Sequence, residues 1–188
     1  YVPGAQTNWK FFSSPVTGKT LADWDDDLIT TGFTGSDYPS FGWTSVYTFD
    51  ESACNGVTTA GWTAPSNITD TMSPKAGHRM YIGYGTYNLD FVGTPEYGDV
   101  EIPISCDNSL PAEIAAAADQ KGWNLVGNPY ACPIEWDDID AANMTNIDDA
   151  FWIWSSEAGN YGLYEGNSGI GTNNVSPEIA ANQAFWVH

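Results

Sequence analysis

The sequence predicts a mainly β fold, an antiparallel sandwich-like module of two related lobes with one or two short helices. Three observations lead to this prediction. Aromatic residues are abundant, with nine Trp, ten Tyr and eight Phe, whereas Lys and Arg together number five, a balance that favours strands over helices. Nineteen Gly and eleven Pro indicate many turns. Finally, several sequence blocks occur twice in the same order.

The repeated blocks indicate an internal duplication, because two of them recur at the same spacing. Each contains aromatic or apolar residues. In chain order, 9–24 matches 123–136, 45–50 matches 150–155, and 76–82 matches 181–187. We therefore divide the chain into a first lobe (1–106), a linker with a helix-like beginning (107–121) and a second lobe (122–188), which can pack together as one domain.

The elements of the first lobe follow from local pattern. Trp9–Phe12 and Val46–Phe49 are expected strands. A helix is expected from Thr20 to about Thr30, since a capping-box-like start precedes a face formed by Leu21, Trp24, Leu28 and Ile29. A strand at 80–84 and a hairpin with arms at 89–92 and 100–104 complete this lobe.

The second lobe repeats this plan. A strand after Trp123 leads to an Asn-Pro turn and an acidic segment. Phe151–Trp154 and Tyr161–Tyr164 are expected strands on either side of a turn at 159–160. Ala184–Val187 is expected to be the last strand.

Charge excludes several functions. Five basic residues against 24 acidic ones give a formal charge of −19, which argues against binding nucleic acid or an anionic membrane surface. No stretch has the ~18 apolar residues of a membrane span. With two histidines and no nucleophile elbow, phosphate loop or zinc-ligand spacing, we expect no enzymatic activity.

Two acidic runs could ligate Ca²⁺, which prefers oxygen ligands. The candidate ligands are Asp25 and Asp27 in one run and Asp137 and Asp140 in the other. A helix N-terminus explains both runs without an ion. Thr71 follows Asp70 in a short pattern of bacterial O-glycosylation. The three cysteines permit one disulfide with a free thiol, or three thiols.

Aromatic residues in loops are the candidate ligand-binding residues, because a rigid ring with a polar edge can stack on the apolar face of a sugar. Trp43 and Trp62 have no counterpart in the second lobe, so we expect them to form an exposed pair. The other candidates are Tyr38, Phe41, Tyr161 and Tyr164.

The motifs resemble a duplicated module of large surface proteins that Bacteroidota export by the type IX route. The resemblance rests on Trp9 to Pro15, Asp37-Tyr38-Pro39, Ser45 to Asp50, Ser73 to Ile82 and, most specifically, Gly122 to Pro129. It implies an extracellular or cell-surface location and brings no catalytic residues with it. The chain departs from the pattern at Tyr130-Ala-Cys132.

These observations predict a non-catalytic binding or adhesion module whose leading ligand is a polysaccharide or cell-surface glycan. The alternative is a structural spacer, stalk or filament subunit that contacts neighbouring modules of the same protein.

Overall fold

The computed structural model describes residues 9–54, 58–83, 87–106, 121–155 and 158–188. The linker predicted at 107–121 lies outside this part of the chain, except for its last residue. The end of the strand predicted at 80–84 also lies outside it.

Strands dominate the described residues, as predicted. The strands are β1 Trp9–Phe12, β2 Lys19–Thr20, β3 Val46–Phe49, β4 Trp62–Thr63, β5 Thr71–Met72, β6 His78–Tyr81, β7 Asn124–Gly127, β8 Ile134–Glu135, β9 Ala150–Ser155, β10 Asn160–Glu165, β11 Ile170–Gly171, β12 Glu178–Ile179 and β13 Ala184–Val187. The helical elements are α1 Ala22–Asp25 and 3₁₀ turns at Glu51–Ala53, Thr58–Gly61, Trp136–Asp138 and Ala141–Asn143.

The two lobes have the same topology. The first lobe forms an antiparallel sheet of order β1-β6-β3-β4, and the second forms one of order β7-β13-β9-β10-β11. The repeat spacing makes β1 equivalent to β7, β3 to β9 and β6 to β13, and each equivalent strand occupies the same place in its sheet. The short pairs β2–β5 and β8–β12 are likewise equivalent. This shared order agrees with the internal duplication inferred from the sequence.

Alternation along the strands arranges the molecule in layers. On β1, Phe12 packs into the first-lobe core with Trp24 and Met80, whereas the adjacent Phe11 points to the opposite face. Phe11 meets Leu125 and Trp186 of the second lobe in an aromatic layer between the sheets. A separate second-lobe core lies on the other face of the second sheet. The two sheets therefore pack face to face, as the predicted sandwich requires.

Reciprocal contacts join the lobes. Phe12 bridges to Gln183 just before β13, and Val126 bridges to Ala76 just before β6. Ser13 and Gly127 are equivalent in the repeat, and they meet where the two lobes cross. A Cβ added to Gly127 would lie only 2.3 Å from the Ser13 Cβ. Close approach of equivalent residues is what a two-fold-like arrangement produces.

The predicted helix is shorter than expected. Asp23 accepts a hydrogen bond from the Thr20 amide at 2.9 Å, as one half of a capping box would, but the cap residue is Leu21, which makes no side-chain cap bond. The helix ends at Asp25, however, and Leu28 follows it in a turn. Leu21, Trp24 and Leu28 are buried as predicted, but Ile29 is exposed because the turn rotates it away from the core.

The predicted hairpin at 89–104 is wrong. Neither arm forms a strand. Leu89 and Phe91 pack against the first-lobe core, whereas Ile102 packs against the second-lobe core. Because the apolar residues of the two arms are drawn to different cores, they cannot pair with each other. The segment instead runs along both lobes, with Thr17 donating its amide to the Thr94 carbonyl at 3.0 Å.

Candidate functional site

Five aromatic rings meet at the surface of the first lobe, beyond the layer between the sheets. We call them the aromatic platform. Two of its members, Phe41 and Trp43, have exposed fractions of 50% and 42%, whereas the other three are half-buried. The platform comprises Trp9, Phe41, Trp43, Tyr47 and Tyr81.

Edge-to-face and tilted contacts hold the platform together. Trp43 lies 4.8 Å from Tyr81 and 5.5 Å from Phe41 between ring centroids. Trp9 lies 5.3 Å from Tyr81 and 5.9 Å from Tyr47. Interplanar angles of 56° to 79° match the geometry that ring quadrupoles prefer. The rings therefore support one another in fixed orientations.

The loop that carries Trp43 is tied to the sheet by hydrogen bonds. The Thr31 hydroxyl donates to the Trp43 carbonyl at 2.9 Å, and the Thr31 amide donates to the Ser45 hydroxyl at 2.9 Å. Gly32 has φ +84°, and a Cβ there would lie 2.5 Å from the Trp43 carbonyl oxygen. Only glycine fits this close crossing without strain. Trp43 is thus held by its backbone as well as by its ring contacts.

A guanidinium lies against the platform. Arg79 projects from β6 on the same face as Tyr81, and its Cζ lies 4.0 Å from the Trp9 ring centroid and 5.1 Å from that of Trp62. Burial lowers the pKa of Arg79, an effect opposed by nearby Tyr161 and Tyr47. No carboxylate of the described residues lies within ion-pairing distance of Arg79. The contact with the rings is therefore of the cation–π type.

Three of the predicted ligand residues lie together and are exposed. Tyr38, Phe41 and Trp43 occupy one loop, where the Tyr38 carbonyl accepts the amides of Gly32 and Phe41 at 3.1 Å. The predicted pair of Trp43 with Trp62 does not form: Trp43 contacts Phe41, Trp9 and Tyr81 instead.

The remaining predicted ligand residues have structural contacts. Trp62 belongs to the aromatic layer between the sheets, with its ring centroid 6.1 Å from that of Phe11 and stacked on it. Tyr161 also stacks on Phe11, with 6.2 Å between the two ring centroids, and its side chain remains partly accessible to solvent. Tyr164 is buried in the second-lobe core, where its hydroxyl donates to Asp137 at 2.7 Å. This bond is the main reason why the pKa of Tyr164 is raised to about 12.

Sequence reasoning missed Trp9, Tyr47, Tyr81 and Arg79. The sequence analysis singled out none of the four as a candidate ligand-binding residue. A signal was available in the strand alternation, since Trp9 with Phe11, Tyr47 with Phe49, and Arg79 with Tyr81 each follow a period of two. All of them lie on the face of the first sheet that looks toward the second lobe.

The predicted calcium ligands serve as hydrogen-bond acceptors within the fold. Asp25 accepts the Thr30 hydroxyl, and Asp27 accepts the Asp90 amide at 2.9 Å. Asp137 accepts the Tyr164 hydroxyl, and an Asp140 carboxylate oxygen caps the Ala142 amide at 2.9 Å. Within the described ranges, no group of three His, Cys, Asp or Glu side chains could hold a metal ion.

The three cysteines are free thiols: Cys54 is buried, and Cys106 and Cys132 are exposed. Burial and the nearby acidic residues Glu51 and Asp50 raise the pKa of the Cys54 thiol. Thr71, the predicted glycosylation residue, is exposed in β5, where it pairs with Thr20.

A cleft of about 340 Å³ opens on the opposite face of the first sheet. Thr48, Thr63 and Asp70 contribute to its lining, with His78 on its inner side. His78 is fully buried, and this burial lowers its pKa to about 4. The imidazole is therefore neutral near pH 7.

No helix within the described ranges combines the length and the apolar character needed to cross a membrane.

Comparison with known proteins identifies a family. Residues 3–186 match the family model described as a domain of unknown function (DUF8693). No curated protein and no solved structure matches the chain. Because the family model spans nearly the whole sequence, the chain belongs to the DUF8693 family.

Proposed function

We propose that this chain is a non-catalytic extracellular module that binds polysaccharide through the aromatic platform. The observation that carries the proposal is the exposure of Phe41 and Trp43 on a hydrogen-bonded loop backed by Trp9 and Tyr81. Large aromatic rings are normally buried, so two neighbouring rings held open to solvent indicate a contact surface.

The chemistry of the platform suits sugars. A pyranose ring presents an apolar face of C–H groups, which stacks on indole and phenyl rings, while its hydroxyls bond to polar edges. The platform supplies both chemistries, since its indole and phenyl rings are apolar and the rings of Tyr47 and Tyr81 carry phenol hydroxyls. Rings that are fixed before binding lose little conformational entropy when a ligand is bound.

The acidic surface is consistent with this role. At a formal charge of −19, the chain stays soluble and resists non-specific adsorption to nucleic acid and anionic membranes. The resemblance to type IX-exported modules supports placing it outside the cell. Protease accessibility of the native protein on intact cells, compared with lysed cells, tests that location: protection on intact cells that is lost on lysis would contradict it.

Pull-down on insoluble polysaccharides and binding to a glycan array test the ligand class. We expect saturable binding that Trp43→Ala weakens at least tenfold, because truncating an aromatic anchor costs roughly 2 kcal/mol or more. Phe41→Ala should act in the same direction. Tyr97→Ala is the matched control, since Tyr97 is an aromatic residue with an exposed fraction of 86% that lies outside the platform.

Thermal unfolding should separate binding from folding. Trp43→Ala is expected to fold, because much of the ring is already in water. Binding that survives Trp43→Ala and Phe41→Ala, or is lost equally in Tyr97→Ala, would contradict the platform as the site. The absence of binding to plant, algal and bacterial polysaccharides would contradict the glycan assignment.

A structural role is the second candidate, and the extended segment 89–105 favours it. Val92 and Tyr97 in this segment have exposed fractions of 82% and 86%, and no strand forms there. Backbone of this segment beyond the Thr17–Thr94 bridge, together with its exposed apolar side chains, can pair with a neighbouring module. Sedimentation velocity of the single module and of two modules joined in tandem distinguishes the roles: self-association that Tyr97→Asp abolishes supports the structural one.

A further inference from the structure

We infer that the aromatic platform selects acidic sugars, with the Arg79 guanidinium recognising the anionic group of a uronate or sulfated residue whose ring stacks on Trp43. This inference rests on the proposed function and adds the ligand's charge class to it.

The first supporting observation is the position of a cation in an acidic protein. The chain has five Lys and Arg against 24 Asp and Glu, yet Arg79 lies against the rings of Trp9 and Trp62 with no carboxylate of the described residues in ion-pairing range. Partly buried charges are normally paired. A guanidinium that no described carboxylate pairs with, in a chain so rich in carboxylates, points to a counter-ion that comes with a ligand.

The second observation is the contact of the Arg79 guanidinium with two aromatic rings. With Trp9 at 4.0 Å and Trp62 at 5.1 Å from Cζ, aromatic rings cover the guanidinium. Stacking does not use the in-plane N–H donors, and the same fork of donors fits a carboxylate or sulfate bidentately. Arg79 is half-buried, so part of the residue is accessible to solvent.

The third observation is that the surroundings favour a short-range interaction. The side chains of Tyr47 and Tyr161 lie near Arg79, and no carboxylate of the described residues is within ion-pairing distance of it. The rest of the acidic surface repels a polyanion over longer distances, but at physiological ionic strength the Debye length is about 8 Å. The direct contact therefore decides the selectivity, and the net charge mainly lowers the association rate.

The experiment compares one polymer in two charge states. Polygalacturonate and its carboxyl-reduced, neutral form are titrated against the folded chain at about 0.15 M salt, the physiological ionic strength, with a sulfated galactan as a third ligand. We expect the anionic polymers to bind about ten- to a hundredfold more tightly than the reduced one, the range of a charge-assisted hydrogen bond. The ratio of the affinities for polygalacturonate and for the sulfated galactan shows whether the site prefers a carboxylate or a sulfate group.

Variants assign this preference to Arg79. Arg79→Gln should bind the anionic polymers as weakly as wild type binds the reduced polymer, while its affinity for the reduced polymer stays within about threefold. Arg79→Lys keeps the charge without the planar fork and should retain part of the preference. Lys10→Gln is the matched control: it removes one positive charge from the neighbouring strand, but alternation places Lys10 on the opposite face of the sheet.

The outcomes separate the two proposals. Equal binding of the charged and reduced polymers overturns the inference and leaves glycan binding standing, whereas no binding to any polymer overturns both. A preference that survives Arg79→Gln, or disappears equally in Lys10→Gln, also overturns it. Polyglutamate that competes as well as polygalacturonate would assign the site to an acidic protein partner instead. If near-UV circular dichroism shows that Arg79→Gln does not fold, two other measurements test the inference. They are the affinities of Arg79→Lys and the affinities of the wild type for the charged and the reduced polymer.

Discussion

Asn128 of the segment Gly122–Pro129 is expected to hold the second lobe together. Its side chain is fully buried, and its amide nitrogen donates to the carbonyls of Cys132, Ile179 and Ala180 at 2.9 to 3.2 Å. Its amide oxygen accepts the Tyr130 amide at 3.0 Å. One side chain thereby connects the end of β7 to the chain between β12 and β13.

The substitution Asn128→Asp is nearly isosteric but replaces the donor nitrogen with an oxygen. Two N–H donors are lost where three carbonyls point, and each buried carbonyl left without a donor costs about 1–3 kcal/mol. At pH 7 a carboxylate is also buried against carbonyl oxygens, which adds a desolvation cost. We expect the variant to lose at least about 4 kcal/mol of unfolding free energy, a large share of the roughly 5–15 kcal/mol of a typical domain.

The pH dependence provides a second check. Burial should raise the pKa of the introduced Asp in the folded state, so the protonated form is the one that the fold favours. The deficit relative to wild type should therefore shrink as pH falls from 7 toward 4, since a protonated carboxyl can donate one hydrogen bond. Asn128→Ala, which introduces no charge, should lose roughly 2–4 kcal/mol with no such recovery.

Urea denaturation at pH 7 and pH 4 measures these differences. Asn160→Asp is the control, because it makes the same charge change at an exposed residue whose side-chain oxygen only accepts the adjacent Tyr161 amide. It should stay within about 0.5 kcal/mol of wild type. An Asn128→Asp deficit below about 1 kcal/mol, the lower end of the cost of one unsatisfied carbonyl, or one equal to that of Asn160→Asp, would refute the reasoning.

Two further predictions concern the first lobe. Burial favours the neutral form of His78 in the folded state, so its contribution to stability is complete above pH 6.5 and is lost as pH falls toward 4, by up to roughly 3 kcal/mol. His78→Gln, which introduces the residue found at the equivalent Gln183, should make the unfolding free energy from urea denaturation less dependent on pH between these values. Superimposable pH profiles of the variant and the wild type would contradict the assignment. Gly77→Ala would place a Cβ 2.5 Å from Leu125 Cγ, so we expect the variant to lose about 1–3 kcal/mol of unfolding free energy. Gly42→Ala is the control, because nothing lies within 4 Å of the added Cβ, and it should change the melting temperature little. Equal melting temperatures for the two variants would show that the layer between the sheets yields to the extra methyl group.

Much of the fold was predictable from local pattern. The strands at Trp9–Phe12, Val46–Phe49 and Ala184–Val187 were predicted because runs rich in aromatic and β-branched residues favour extended backbone. The repeat offset predicted equivalent lobes, and the shared strand order agrees with that prediction. Burial of Trp24 also followed from its place on the apolar face of the expected helix.

The candidate site was only half predictable. The Gly- and Pro-rich loop around Phe41 and Trp43 could be identified as exposed, since such residues mark turns. The burial of Tyr164 could not be predicted, because the pairing register of β10 with β9 decides which face of the sheet each side chain occupies. In the observed register, the Tyr164 side chain lies in the second-lobe core. Arg79 was not predicted, as one cation in a strand carries no local signal.

By itself, the sequence determined the strand-rich fold, the duplication and the acidic character, because composition, periodicity and charge are local properties of the chain. The tertiary structure alone decided that Trp9, Trp43 and Arg79 meet on one surface and that the segment 89–104 follows two cores instead of folding on itself. These outcomes depend on contacts between residues distant in sequence, where the packing of whole faces outweighs local preference.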